Sequence, residues 1–200
     1  KNIKPFFTAS YYGVDAVEIP KKDFDSVINF IFVGSLTSGK NPLYAIQLIE
    51  KLHGMSFNVT LSIFGNGLEF NKLNDYIQKN QLSTFISLFG NKNKDEIKLA
   101  YQKSHFVVLP SKSEGWPKVL AEGMFWKCLP IATKVSCIPN MLDNGQRGIL
   151  LTMDLEKDSD EIKNILLNEI LYQEKIQNAV NWSRKYTLDY FEAEIKKLVI

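Results

Sequence analysis

Two glutamates eight positions apart, Glu114 and Glu122, stand in the segment 110–125 (PSKSEGWPKVLAEGMF), where a short apolar run passes through a glycine turn into residues with helical spacing. A carboxylate just before a helix N-terminus and a second one further inside the helix can face one crevice, and the free backbone N–H groups between them can hold an anion. Carboxylates that accept from hydroxyls, set beside an anion site, suit a ligand carrying both hydroxyl groups and phosphate. The neighbours of Glu122 include Val119, Leu120, Met124 and Phe125. It therefore lies either on a solvated stripe or partly buried, and a buried carboxylate is costly unless paired or ligand-bound. Pro117 suits the first helical position, where its missing N–H has no partner to lose.

A second group sits in Gly34-Ser35 and Lys40. Gly34 lets a backbone approach a phosphate closely, and Lys40, at a helix start, supplies a flexible point charge. The plain alternative is a turn glycine and a solvated lysine. Phe89 and Gly90 can wall a nucleobase and offer it backbone, or be core plus turn, and Ser136 to Asn140 is another place where amides can meet a phosphate or sugar. His53 and His105 have no Ser or Cys partner at recognisable spacing, and Trp116, Trp126 and Trp182 read first as packing residues, with Trp116 in reach of a sugar face.

The elements that must position these residues follow from periodicity. Apolar runs rich in β-branched or aromatic residues at 30–33, 59–64, 85–89, 106–109, 131–133 and 149–151 predict six strands. Amphipathic segments at 43–52, 68–80, 95–103 and 118–126 predict helices between them, and 162–171, 176–185 and 190–199 predict three more after the last strand. Alternation of this kind implies an α/β fold, a doubly wound, Rossmann-like parallel six-stranded sheet with flanking helices. In the order 3-2-1-4-5-6, strands one and four meet at the switch point where ligands bind, which brings Gly34, Lys40 and Glu114 to one crevice.

Composition sets outer bounds. The chain has 200 residues, 45% of them hydrophobic, enough for one well-packed domain. A net charge of +2 from 24 basic and 22 acidic residues gives no reason to expect nucleic acid. Two cysteines and two histidines, without zinc-ligand spacing, exclude a disulfide framework and a recognisable metal centre and fit a reducing cytoplasm. Apolar runs fall short of the roughly 20 residues of a membrane span. The first 25 residues, ending in Ile19-Pro20 and a polar stretch, read as an interdomain linker or the start of a domain, and residues 26–200 as the domain itself, a fragment of something longer.

The stretches FVGSL (32–36) with Lys40, PSKSEGWPKVLAEGM (110–124), LPIAT (129–133), IPN (138–140) and NGQRG (144–148) together resemble the C-terminal, donor-binding domain of group 1 glycosyltransferases, retaining enzymes of GT-B architecture. The likeness runs from about Phe30 to Phe191. It implies a nucleotide-sugar donor, a UDP- or GDP-sugar, and an N-terminal acceptor-binding domain absent from this chain. It also implies a glycan or lipid-linked acceptor, no metal or other cofactor, and a cytoplasmic location with a membrane surface within reach of the missing half. By the same resemblance Glu114 contacts hydroxyls of the transferred sugar and, with Lys40, carries the chemistry. Glu122 holds the ribose, and the Gly34-Ser35 loop and Lys40 hold the diphosphate. Trp116, Pro117 and Lys118 lend backbone amides, Gly115 belongs to the same donor-binding stretch, and Gly90 sits by the base. Departures accompany it. Ser35 stands where the family usually has arginine, Gly123 where alanine is usual, Cys128 where glycine is usual, and Ser136 and Asn140 where a glycine and a glutamate are common. The loss at position 35 removes a cation that would stabilise the departing diphosphate. Two rival functions follow, a degenerate nucleotide-sugar-binding or scaffold module without turnover, and a GT-B nucleotide-sugar epimerase.

Overall fold

The computed structural model describes residues 7–199. Six parallel strands, β1 (Ile28–Val33), β2 (Val59–Phe64), β3 (Ile86–Gly90), β4 (Phe106–Leu109), β5 (Leu129–Thr133) and β6 (Ile149–Leu151), lie in the order β3-β2-β1-β4-β5-β6. The expected topology holds, and the fold is a Rossmann-like α/β domain. Alternation along the strands explains its two cores. Phe30 and Phe32 of β1 point to one face with Phe106 and Val108 of β4, while Ile31 points to the other with Val107 and Leu109. The first face is covered by α1 (Pro42–Gly54), α2 (Phe70–Lys79) and α6 (Leu155–Leu166). The second is covered by α3 (Lys94–Lys103), α4 (Lys118–Phe125) and the short α5 (Ile138–Met141). The helix α7 (Glu169–Ser183) packs against α4, α6 and β5 and contributes to both cores, and α8 (Leu188–Val199) follows it.

Local chemistry sets the helix ends. Asn93 caps α3 in a capping box with Glu96, and Asp154 and Asn168 accept from backbone N–H groups in the first turns of α6 and α7. The Asn168 cap corrects one expectation. The apolar run 162–171 is not one helix, because α6 ends at Leu166 and α7 begins at Glu169. Pro117 is likewise the N-cap of α4 rather than its first helical residue. On α4 a Cβ at position 123 would lie 2.5 Å from Val107 Cγ1, so Gly123 lets the helix seat directly on β4.

The residues before β1 pack onto the domain through Tyr11 and Ile19, which are buried. The Lys22 ammonium reaches the carbonyls of Tyr101, Ser104, Trp126 and Lys127, at the C-terminal ends of α3 and α4, where a cation offsets the exposed carbonyls. Beside it His105 Nδ1 accepts from Asn29 N–H at 3.0 Å and Nε2 faces the Asp23 carbonyl at 2.8 Å, the pattern of a neutral ring that donates from Nε2. Burial first, and the Lys22 charge second, hold its pKa below the usual 6.5.

The sign of the pH effect follows. Below about 6.5 the unfolded chain takes up a proton at His105 that the folded chain resists, so this contribution to stability is complete above that pH and shrinks as pH falls towards the lower folded value. Urea unfolding from pH 8 to 5 should therefore show stability falling on acidification, with a shallower slope in His105→Gln.

Candidate functional site

The site is built where strand C-termini open onto loops on both sides of the β1–β4 switch point. Lys112 N–H donates to the Gly39 carbonyl at 2.8 Å and so ties the loop after β4 to the loop after β1. These two loops bring Lys40 Nζ to 2.6 Å from Glu114 Oε1, with the Glu114 side chain 7% exposed and that of Lys40 31% exposed. The carboxylate is thus held at the mouth of the crevice by a cation that can still reach solvent. An ion pair at such a point has two uses. It keeps an unliganded carboxylate neutralised, and it offers a mobile ammonium to an incoming anion.

On the β3 side, Gly34 and Ser35 line a cavity of about 290 Å3 together with Gly65, Asn66, Asn91 and Lys92. Its floor depends on two glycines. Gly34 N–H donates to the Phe64 carbonyl, and a Cβ at Gly65, whose φ is +136°, would lie 1.8 Å from the Gly34 oxygen. A Cβ at Gly67 would lie 2.4 Å from the Leu36 oxygen. Close backbone approach of the loops after β1 and β2 is therefore possible only with glycine at both positions. Strand and helix periodicity does not mark Gly65 and Gly67, although a Gly-Asn-Gly directly after a strand is a visible signal of such an approach. Gly90, at φ +66°, accepts from Gly65 N–H at 2.8 Å through its carbonyl, and Phe89, 46% exposed, stacks on Phe64 with centroids 4.9 Å apart. Phe64, which lines the cavity, is thus backed by a second aromatic ring.

The remaining candidates lie around the start of α4. Gly115 is exposed and its carbonyl accepts from the Cys137 thiol at 3.0 Å. Trp116 donates from Nε1 to the Thr8 carbonyl at 3.1 Å and packs with Phe7, Trp182 and Tyr186, so its ring belongs to an aromatic cluster. Pro117 is buried and, having no N–H, offers no donor, which corrects the expectation of an amide there. The free donors of this helix start are the N–H groups of Lys118 and Val119. Glu122 has partners of its own, Ser10 Oγ donating to Oε1 at 2.5 Å and Tyr101 Oη donating to Oε2 at 3.3 Å. Burial, and next the Glu122 charge, push the Tyr101 pKa well above its ordinary value, so the phenol stays protonated and remains a donor. Neither Ser10 nor Tyr101 carries a sequence signal that links it to a site.

A family profile described as "Glycosyl transferases group 1" matches residues 18–182. The chain belongs to the group 1 glycosyltransferases. A relative, an uncharacterized glycosyltransferase of Methanocaldococcus jannaschii, is 30% identical over 200 residues, covering 99% of this chain and 54% of its own length. Among solved structures, S. aureus TarM in complex with fondaparinux, alpha-GlcNAc-glycerol and UDP superposes with a TM-score of 0.79 at 20% identity, over 99% of this chain and 40% of TarM. The C-terminal domain of a group 1 family protein from Francisella tularensis superposes with a TM-score of 0.72 at 20% identity, over 80% of this chain and 87% of that domain. These likenesses show the fold of GT-B glycosyltransferase C-terminal domains. The chain spans about half the length of the curated relatives it matches. No helix among the described residues is long and apolar enough to cross a membrane.

Proposed function

We propose that this chain is the nucleotide-sugar-binding half of a retaining group 1 glycosyltransferase that moves a sugar from a UDP- or GDP-sugar to a glycan or lipid-linked acceptor, as in the synthesis of polysaccharides or cell-surface glycans, with the acceptor held by its own N-terminal domain. The observation that carries this reading is the Lys40–Glu114 pair at the switch point, beside the Gly34-Ser35 loop. In it Lys40 passes from Glu114 to the diphosphate when the donor arrives, and the released carboxylate accepts from hydroxyls of the sugar. The Lys118 and Val119 amides share the negative charge that grows on the leaving diphosphate. With charge neutralised in this way the transfer needs no metal, and retention follows from displacement on the same face, assisted by the leaving phosphate. The UDP bound to TarM, a protein of like fold, supports the donor class. The action takes place in the cytoplasm in this reading, at the inner face of a membrane where the acceptor is lipid-linked. Proton NMR of the first-formed product of the two-domain enzyme tests it. The same anomeric configuration as the donor is expected, and inversion would refute the assignment.

A degenerate scaffold module without turnover is the second reading, and Ser35 favours it. Its short side chain is exposed at the mouth of the cavity, and the nearby Lys40 is already paired. Ser35→Arg separates the two. Restoring a guanidinium beside the diphosphate should tighten nucleotide diphosphate binding about tenfold in a weakened enzyme, the scale of a charge-assisted hydrogen bond, whereas a scaffold should bind no donor in either form.

A further inference from the structure

Glu122 has both carboxylate oxygens engaged by hydroxyls of the chain, and one of them comes from outside the sheet and helices altogether. Ser10 belongs to the segment before β1, ahead of the residues that the family profile matches. Three hydrogen bonds hold residues 8–10 down. The Thr8 carbonyl accepts from Trp116 Nε1, the Ser10 carbonyl accepts from Lys94 Nζ at 2.6 Å, and Ser10 Oγ donates to Glu122. At Tyr11 the anchoring changes character. Its ring is buried, stacked on Phe125 and edge-on to Trp126, and its carbonyl accepts from Leu188 N–H at 2.8 Å. Residues 8–10 are thus fastened by side-chain hydrogen bonds that water can replace, between two buried rings, Tyr11 on one side and Phe7, packed with Tyr186, Tyr190 and Phe191, on the other.

The space beneath them decides what they do. The cavity between this segment and Glu122 is about 10 Å3. That is barely room for one water and none for a pentose.

Taking Glu122 as the ribose ligand, the role on which this inference rests, we infer that residues 8–10 are a strap over the ribose end of the donor site. Ser10 Oγ occupies the place of a ribose hydroxyl, and strap and nucleotide exclude one another at Glu122. The exchange is chemically even, since one hydroxyl leaves Oε1 and another takes its place while Tyr101 keeps Oε2. The strap therefore lowers apparent nucleotide affinity by the fraction of time it is closed, and loosening it restores that affinity without altering any donor contact.

Calorimetric titration of this chain with UDP and GDP, together with amide hydrogen exchange over residues 8–10, tests this. Ser10→Ala should bind the preferred nucleotide about tenfold tighter than the unmodified chain, the gain expected for a strap closed about nine-tenths of the time. Saturating nucleotide should speed exchange at residues 8–10, and not at Tyr11, in the unmodified chain. Equal or weaker binding by Ser10→Ala, or exchange that nucleotide leaves unchanged, overturns the strap and makes Ser10 a fixed support of Glu122 while the donor reading stands. No nucleotide binding by either protein overturns the donor reading itself and the strap with it.

Discussion

Glu114→Gln should reduce sugar transfer by the two-domain enzyme at least about 100-fold while leaving nucleotide diphosphate binding intact or tighter. The first effect is that of removing a preorganised charged acceptor from the reacting sugar. The second comes from the geometry of the unliganded site. Glu114 holds Lys40 at 2.6 Å, so the neutral amide frees the ammonium for the diphosphate and removes a negative charge from its neighbourhood. Loss of turnover without loss of binding is a split that a merely structural carboxylate would not give. Steady-state rates and nucleotide affinities measured side by side check it. Transfer at the unmodified rate with donor still bound would show that Glu114 has no part in the chemistry.

Gly65→Ala should be among the most damaging single substitutions in the domain, lowering stability by about 3–4 kcal/mol and Tm by about 10 °C. The added Cβ would sit 1.8 Å from the Gly34 oxygen at a φ of +136°, so the loops after β1 and β2 must part. That opening also moves Gly34 and Ser35, which line the 290 Å3 cavity, so nucleotide binding should weaken along with the fold. Gly90→Ala is the control. Its φ is also positive, at +66°, but the space around its Cβ is open, and only the backbone preference is lost, about 1 kcal/mol. Thermal unfolding of the two variants compares them, and equal losses would mean that loop contact does not set the cost.

The six strands were legible because parallel strands buried on both faces read as short runs of apolar, β-branched and aromatic residues, and order along the chain then limited the sheet to few topologies. What periodicity could not supply was punctuation. Leu167 continues an apolar run while Asn168 stops it, and only the side-chain bond from Asn168 to the Leu171 amide reveals a new helix. Lys40 and Glu114 meet because the sheet order places their loops side by side, which the chain order anticipates. The partners of Glu122 were out of reach for a different reason. Ser10 and Tyr101 stand 112 and 21 positions away, one in an irregular segment and one on a helix that reads as ordinary core. Asp158 was missed in the same way. It is 2% exposed, yet it accepts from Tyr44 Oη, from Thr152 through both N–H and hydroxyl, and from Met153 N–H, and so fixes the turn after β6 against α1. In sequence it is one acidic residue among several at a helix start.

Calorimetric titration of the chain with UDP, GDP and their sugars, with Lys40→Ala alongside, decides whether the crevice around Lys40 and Glu114 holds the diphosphate of a sugar nucleotide. One site is expected, with a preference for one of the two nucleotides and affinity at least about tenfold weaker in Lys40→Ala, the loss of a charged partner. A folded chain that binds no nucleotide, or one whose binding is untouched by Lys40→Ala, would contradict that role of the crevice.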